Sequence, residues 1–381
     1  MPSLELGGLE ASRYFTPRAL ERSSDYERGA QLLWLLATIA ELVALVVLVR
    51  VLPRSVPGIG LGRVSTAIVV GMVVMTTLWL VALPFGVAQL WWQHHWGLGP
   101  FDVVSWIVGR RYELGATAVV ALAAIAIVVA LAARFPRGWW IPGAAVFVVL
   151  GSLLTFASGW LAAASSEPLR RPALRQDVAR IERAVGVTAP VRVEKVSGWT
   201  SQANAFATGF GPSRNVVLWD TLLDGRFSRD EVDVVIAHEL GHVKSRHVVK
   251  GLAWFALFAF PAAFVVAWVT GRRGGMRNPA NLPLALLLLT LLVLATAPLV
   301  NAVTRRYEAE ADWRALQATK DPEAAIGLFR QFQRTSLQEP NPPPLAYLWL
   351  ETHPTLMQRV AMAERFRERA TGRARGPLEA P

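Results

Sequence analysis

The chain has 381 residues, and 53% of them are hydrophobic, which is more than a soluble core requires. Cysteine is absent, which excludes disulfides, iron–sulfur clusters, thiolate metal sites and a cysteine nucleophile. The net charge of +11 is carried by basic residues beside apolar blocks or in the polar segments between them. This pattern favours anionic membrane lipid as a partner and predicts no nucleic-acid partner.

Six long apolar blocks predict a mainly α, polytopic helical membrane protein with about six spans. The first block, 32–49, is interrupted only by Glu41, which should face the bundle interior or a wet cavity because a charge in lipid is costly. Each of the others is at least about 20 residues long, enough to cross a hydrocarbon layer of roughly 30 Å as a helix. These five blocks contain no Asp, Glu, Lys or Arg: 64–92, 114–133, 138–166, 251–271 and 278–304.

The same pattern divides the chain into six parts. They are a polar N-terminal lead-in (1–30), transmembrane helices 1–4 (31–164), a polar segment (165–250), transmembrane helices 5–6 (251–304), a C-terminal polar segment (305–370) and a flexible tail (371–381). Two spans separate the polar segments, so both return to one membrane face. Arginines that would lie on this face precede the first span and follow the fourth and sixth spans. The arginines between the other spans, on the opposite face, give a weaker signal. The positive-inside rule therefore predicts that this face is cytoplasmic. The cysteine-free, Ala/Arg-rich composition favours a bacterial plasma membrane.

The segment 165–250 reads as a small α+β unit. Ser228 and Glu231 have the spacing of a capping box, which predicts a helix that begins near Arg229. Before it, the periodicity predicts a helix over 172–187, a strand over 191–197 and a hairpin of 203–210 with 215–220 around the turn sequence GPSR.

The sequence HELGH, residues 238–242, lies on this predicted helix. His238 and His242 are four apart and share a helix face, so both can present an imidazole nitrogen to one ion. Glu239 projects at a neighbouring angle, which leaves it free to act as a general base in the manner of H-E-x-x-H. The segment therefore predicts a zinc site, and the absence of cysteine requires the remaining ligand to be a carboxylate or histidine.

The stretch TRRYEAEAD (304–312) is the best source of that ligand. Glu308 and Asp312 lie on one helix face, where Glu308 can bind the metal and Asp312 can hydrogen-bond a ligand histidine. Glu310 points elsewhere. The alternative interpretation is a solvated acidic turn. His247, five residues beyond His242, rotates off the ligand face and is expected at the surface or behind a ligand.

HELGH followed by TRRYEAEAD resembles the type I CAAX prenyl endopeptidases, integral-membrane zinc metalloproteases with the HtpX-type proteases as more distant relatives. The resemblance covers nearly the whole chain. Further segments carry it: YFTPRALERSSDYERGAQLLW (14–34), HHWGLGPFDVVSWI (94–107), SQANAFATGFGPSRNVVLWDTLL (201–223) and THPTLMQR (352–359).

The resemblance implies one zinc ion per chain in a metalloprotease segment formed by 165–250, beside a chamber between the membrane helices. It implies the following roles: His238, His242 and Glu308 as metal ligands, Glu239 as general base, Asp312 behind the ligands, Asn204 on the substrate backbone, and His353 and Arg359 on the oxyanion or substrate. If Ala205 and Phe206 form an edge strand, that strand could bind an extended peptide by strand addition.

These observations predict a membrane zinc endopeptidase whose partners are membrane lipids and a peptide or protein substrate, lipidated or not. One alternative is a quality-control peptidase with no prenyl requirement. Another is a non-catalytic membrane protein with a structural zinc site, and a third is a zinc enzyme acting on something other than a peptide. His94 and His95 lie among tryptophans, where an interfacial aromatic belt competes with a catalytic role.

Overall fold

A computed structural model describes residues 9–55, 60–109 and 111–370, so the predicted flexible tail (371–381) lies outside the described residues. The helices are α1 (Pro17–Ser55), α2 (Arg63–His95), α3 (Val103–Gly109), α4 (Arg111–Arg134), α5 (Trp140–Ser165), α6 (Pro172–Val185), α7 (Arg229–Lys244), α8 (His247–Gly271), α9 (Leu282–Thr319), α10 (Pro322–Ser336), α11 (Pro344–Trp349) and α12 (Leu356–Ala370). The strands are β1 (Glu167–Pro168), β2 (Val191–Glu194), β3 (Ala205–Thr208) and β4 (Asn215–Trp219).

The predicted polytopic membrane architecture is confirmed. Among the described residues, six helices are long and apolar enough to cross a membrane: α1, α2, α4, α5, α8 and α9. Large apolar side chains on their outer faces are exposed, such as Val119 at 68% and Leu161 at 69%, as expected for surfaces that contact lipid. The chain is therefore an integral membrane protein.

Helix α9 extends well beyond a membrane span. Its 38 residues correspond to a length of about 57 Å, nearly twice the hydrocarbon thickness of roughly 30 Å. The first part is apolar, and the last part carries the polar run that contains Glu308 and Asp312. One continuous helix therefore connects the membrane-spanning helices to the polar domain, which consists of the two polar segments 165–250 and 305–370.

The polar domain contains a small mixed sheet of order β1-β2-β4-β3. Strand β2 is parallel to β4, and the predicted hairpin is present as β3 antiparallel to β4, with Ala205 opposite Leu218 and Thr208 opposite Asn215. Strand β3 lies at the sheet edge, so one side of its backbone has no strand partner in the described sheet. This edge can accept an extended chain.

Helix α7 lies at the centre of the hydrophobic core of the polar domain. Its capping box is present: Ser228 Oγ accepts a hydrogen bond from Glu231 N at 3.2 Å, and Glu231 Oε2 accepts one from Ser228 N at 2.8 Å. The helix begins at Arg229, as predicted, and packs against α6, α9, α10 and β3. Residues 232–241 are all buried, which fixes α7 firmly within the domain.

The hairpin is attached to the membrane bundle through Gly159 of α5. Asn215 Nδ2 donates to the carbonyl of Gly159 at 2.9 Å and to that of Ser213 at 2.9 Å. A Cβ on Gly159 would lie 1.9 Å from Ser213 O, a distance that no side chain can adopt without a shift of the backbone. The absence of a side chain here lets a membrane helix position the edge strand.

We therefore expect Gly159→Ala to displace the hairpin from α5 and to destabilise the protein by about 1–3 kcal/mol, as overpacking does elsewhere. The measurement is the thermal unfolding midpoint in detergent at one scan rate. The matched control is Gly251→Ala in α8, where an added Cβ meets nothing within 4 Å. Equal midpoints for the two variants would contradict the proposed attachment.

Candidate metal centre

The three predicted metal ligands, His238, His242 and Glu308, lie close together between α7 and α9. His238 Nε2 lies 3.0 Å from His242 Nε2 and 3.2 Å from Glu308 Oε2, and His242 Nε2 lies 3.5 Å from Glu308 Oε1. Helix α7 supplies both imidazoles from consecutive turns, and α9 supplies the carboxylate. The three ligand atoms all lie within 4.8 Å of one another.

This donor set fits a tetrahedral divalent cation. Metal–nitrogen and metal–oxygen bonds of 2.0–2.2 Å place neighbouring tetrahedral ligand atoms about 3.3–3.6 Å apart, close to the separations of 3.0, 3.2 and 3.5 Å seen here. Glu308 Oε2 is buried, and its neighbours at 3.2 Å are Nε2 of His238 and Nε2 of His353, neither of which is aligned to donate a hydrogen bond to it. A buried carboxylate oxygen without a partner is costly, and a bound cation would remove that cost.

The close approach of the two helices depends on Gly241. A Cβ at this position would lie 3.3 Å from both Cα and O of Ala311, closer than side chains normally sit to backbone atoms. The glycine within HELGH therefore lets α7 lie against α9. This contact sets the distance between the imidazoles and Glu308.

Asp312 and Arg359 form a buried pair behind His238. Asp312 Oδ1 lies 2.9 Å from His238 Nδ1, and Arg359 donates to both Asp312 oxygens at 2.6 and 2.8 Å. Burial disfavours the charged form of His238, but Asp312 and Glu308 outweigh burial and raise its pKa. The contact with Asp312 directs Nε2 of His238 toward the metal site, as expected for a ligand histidine.

Arg359 thus contacts Asp312, which in turn contacts the candidate ligand His238. Its guanidinium also lies over the ring of Phe329, with 4.4 Å to the centroid. The oxyanion or substrate role that the resemblance implies for Arg359 stays a prediction. The described contacts favour a role in holding Asp312.

His353 and Glu239 complete the candidate active site. His353 Nε2 lies 3.2 Å from Glu308 Oε2, and its side chain remains 46% exposed, so it can reach a bound molecule. Glu239 is buried, beside His238 on α7. Burial raises the pKa of Glu351, whereas the charges of His353 and Arg305 act in the opposite direction.

The predicted substrate-binding residues lie at the start of the edge strand. Asn204 is exposed, and its Oδ1 accepts a hydrogen bond from Ala205 N at 2.9 Å. Ala205 and Phe206 are partly buried and pair with Leu218 and Val217 of β4. The strand packs on α7, which also carries the two candidate ligand histidines. Contact of these three residues with substrate stays a prediction.

His94 and His95 lie in a separate cluster at the end of α2. His95 stacks on Trp91 and Trp92, with ring centroids 5.4 and 5.9 Å away. His94 Nδ1 lies 3.1 Å from the carbonyl of Gly99. These contacts with tryptophan rings and a backbone carbonyl favour the interpretation of this cluster as an interfacial aromatic belt.

A network that spacing alone did not reveal surrounds His242. His247 is buried, and its Nδ1 lies 2.9 Å from His242 Nδ1, so it stands behind a ligand and not at the surface. Glu310 points away from the ligand atoms, as predicted, and its Oε2 lies 3.3 Å from His247 Nε2. The sequence signal was a third histidine close to HELGH.

Residues 168–367 match the family model described as peptidase family M48, and this match covers more than half of the chain. The chain belongs to peptidase family M48. The membership confirms the predicted resemblance. It also agrees with the expected enzyme class, because the curated relatives of this M48 chain include metalloproteases.

Three relatives show the range of proteases to which the chain is similar. The chain is 31% identical over 209 residues to the uncharacterized metalloprotease YhfN of Bacillus subtilis, which covers 52% of this chain and 49% of the relative. It is 29% identical over 256 residues to an HtpX protease homolog of Acidiphilium cryptum, covering 59% of this chain and 88% of the relative. It is 27% identical over 208 residues to a CAAX prenyl protease 1 homolog of rice, covering 52% and 48%. The chain thus spans about half the length of the first and third relatives.

The fold of the M48 chain is also similar to a solved structure, the crystal structure of S. mikatae Ste24p. The TM-score is 0.74 at 19% sequence identity, over 92% of this chain and 89% of that chain. At this identity the similarity establishes the fold. It extends over 92% of the chain and so includes α1, α2, α4 and α5, which precede the region matched by the family model.

We expect Asp312→Asn to weaken metal binding by about 10- to 100-fold, because it removes the charge that orients His238 and pairs with Arg359. The measurement is metal retention during titration with a chelator. Asp177→Asn is the matched control: Asp177 is buried and accepts a hydrogen bond from Arg229 at 2.9 Å, but lies on α6. Equal metal affinity in the two variants would argue against the orienting role of Asp312.

Proposed function

We propose that this protein is a membrane-embedded zinc endopeptidase with one zinc ion per chain. The observation that carries the proposal is the convergence of His238, His242 and Glu308, with Glu239 next to the first ligand. Three protein ligands leave a fourth tetrahedral position open, which is typical of catalytic sites and not of structural ones.

When bound, zinc would supply Lewis-acid chemistry that activates a water molecule and polarises the scissile carbonyl. Glu239 would accept the proton of the attacking water and return it to the leaving amine. His353, half exposed beside Glu308, would donate a hydrogen bond to the oxygen on which negative charge develops. Asp312 and Arg359 would keep His238 in position during both steps.

The edge strand would hold the substrate. An extended peptide could add to the outer side of β3, and Asn204, Ala205 and Phe206 would contact its backbone next to the ligand helix. Because β3 is tied to α5 and Glu308 to α9, a substrate bound here would lie at the membrane surface. We therefore propose peptide or protein substrates associated with a membrane, on the cytoplasmic side of a bacterial plasma membrane.

The main alternative is a structural metal site in a non-catalytic membrane protein. The open fourth position and the buried carboxylate of Glu239 support catalysis over this alternative, since a structural site needs no base beside a ligand. Glu239 therefore distinguishes the two functions experimentally.

We expect Glu239→Gln to retain one zinc ion and to lose at least about 100-fold in peptide turnover, because the ligands remain and the base is removed. Zinc content by elemental analysis and cleavage by mass spectrometry are measured on the same sample. Asp230→Asn is the control: it makes the same acid-to-amide change at an exposed position of α7. Wild-type turnover in the Gln variant would contradict the proposed mechanism.

The requirement for a lipid on the substrate is tested with two matched peptides, one farnesylated and one not, each with and without a zinc chelator. Chelator-sensitive cleavage of only the farnesylated peptide supports a prenyl protease, which is how the rice relative is named. Cleavage of both supports a general membrane peptidase, as in quality control. Cleavage that persists with the chelator would contradict the zinc mechanism.

A further inference from the structure

We propose that His247 is a positioning residue for the metal ligand His242, and that Glu310 fixes the tautomer of His247. The proposal rests on the proposed metal site and deepens it. It gives a role to the buried imidazole of His247 and the carboxylate of Glu310, neither of which belongs to the ligand set or takes part in the proton transfer by Glu239. Together with His242 they form a chain of contacts that runs from Glu310 through His247 to His242.

The first contact of this chain joins two imidazole nitrogens. His242 Nε2 faces the other ligands, and its Nδ1 lies 2.9 Å from His247 Nδ1. One of these two nitrogens must donate and the other must accept, since two lone pairs or two protons would repel at this distance. If His242 binds the metal through Nε2, its proton resides on Nδ1. His247 Nδ1 must then be the acceptor.

The second contact selects the tautomer that makes this possible. His247 Nε2 lies 3.3 Å from Glu310 Oε2, and a carboxylate can only accept from it. The proton of His247 is thereby held on Nε2, which leaves Nδ1 free to accept from His242. Glu310 thus sets the direction of both hydrogen bonds.

Glu310 is itself held in place. Its Oε1 accepts hydrogen bonds from Ser245 Oγ at 2.5 Å and from Arg314 Nη2 at 3.0 Å, and Lys250 Nζ lies 3.8 Å from Oε2. These partners favour the ionised carboxylate, which is the stronger acceptor. The carboxylate that orients His247 therefore has a fixed position and charge.

Packing fixes the ring of His247. It stacks on Tyr307 with centroids 4.5 Å apart and an interplanar angle of 12°, and Tyr307 Oη accepts a hydrogen bond from Trp254 Nε1 at 3.0 Å. The chain reaches this position through Arg246, whose φ of 54° lies in the left-handed region. Such a conformation is unfavourable in a residue other than glycine, and here it brings His247 into contact with His242.

The two ligand histidines are therefore oriented in different ways. His238 contacts the carboxylate of Asp312 directly, whereas His242 contacts a carboxylate through a second imidazole. An imidazole is a neutral acceptor, so it should polarise His242 less than Asp312 polarises His238. The consequence that can be measured is a dependence of metal affinity on an acceptor at position 247.

The test compares His247→Leu with His247→Gln in the full-length protein purified in detergent. The two side chains are similar in size, but only Gln keeps an oxygen that can accept from His242 Nδ1. We expect His247→Leu to weaken zinc binding by about 10- to 100-fold in chelator competition, and His247→Gln to recover most of that loss. The visible spectrum of the Co²⁺-loaded protein should change in the Leu variant and resemble wild type in the Gln variant.

Glu310 is tested by a double-mutant cycle. Glu310→Gln should weaken zinc binding in the wild-type background, and should add little in the His247→Leu background, because both residues act through one path. His95→Leu is the control for loss of an imidazole, since His95 stacks on tryptophans of α2. Its zinc affinity should match that of wild type.

Wild-type zinc affinity and Co²⁺ spectrum in His247→Leu would overturn the proposal, even if the thermal stability fell. Equal losses in the Leu and Gln variants would also overturn it, because the acceptor would then be irrelevant. Failure of the proposed metal site gives a different result: wild-type protein would not retain zinc, or His238→Ala would retain it fully.

Discussion

The contact between α7 and α9 at Gly241 is the constraint on which the site depends. The candidate ligands come from chain positions far apart, because Glu308 follows His238 by 70 positions in the sequence. Only a close crossing of the two helices brings an imidazole nitrogen within 3.2 Å of Glu308. A Cβ at residue 241 would lie 3.3 Å from the backbone of Ala311, so α7 and α9 could not keep this close an approach without a small shift. Because tight packing transmits small shifts, metal geometry and helix packing cannot vary independently.

The membrane helices hold this site at a fixed place relative to the bilayer. Helix α9 passes without interruption from the apolar region to Glu308, and α5 contacts the edge-strand hairpin through Gly159. The ligand and the surface that would hold the substrate are thus each attached to a membrane helix. A soluble domain on a flexible linker would lack this property. The arrangement would suit the membrane-associated substrates proposed above.

Local patterns sufficed to predict much of this structure from the sequence. Apolar length gave the spans, the capping box gave the start of α7, and the i,i+4 rule gave His238 with His242 and Glu308 with Asp312. His247 was different, because five residues on a continuous helix correspond to a rotation of about 140° away from the ligand face. The left-handed conformation of Arg246 breaks that continuity and has no sequence signature. The contact between Arg359 and Asp312 likewise depends on how α12 packs on α9, and a local pattern does not encode it.

The charges on α9 explain why a cation belongs between the ligands. Three carboxylates, Glu308, Glu310 and Asp312, occur within five residues, and burying an ionised group without compensation is expensive. Asp312 is paired with Arg359, and Glu310 with Arg314. Glu308 instead faces imidazole nitrogens of His238, His242 and His353, and the first two would be neutral as metal ligands. A divalent cation between these donors would supply the positive charge that arginine supplies to the other two carboxylates, so the folded domain and the metal should stabilise each other.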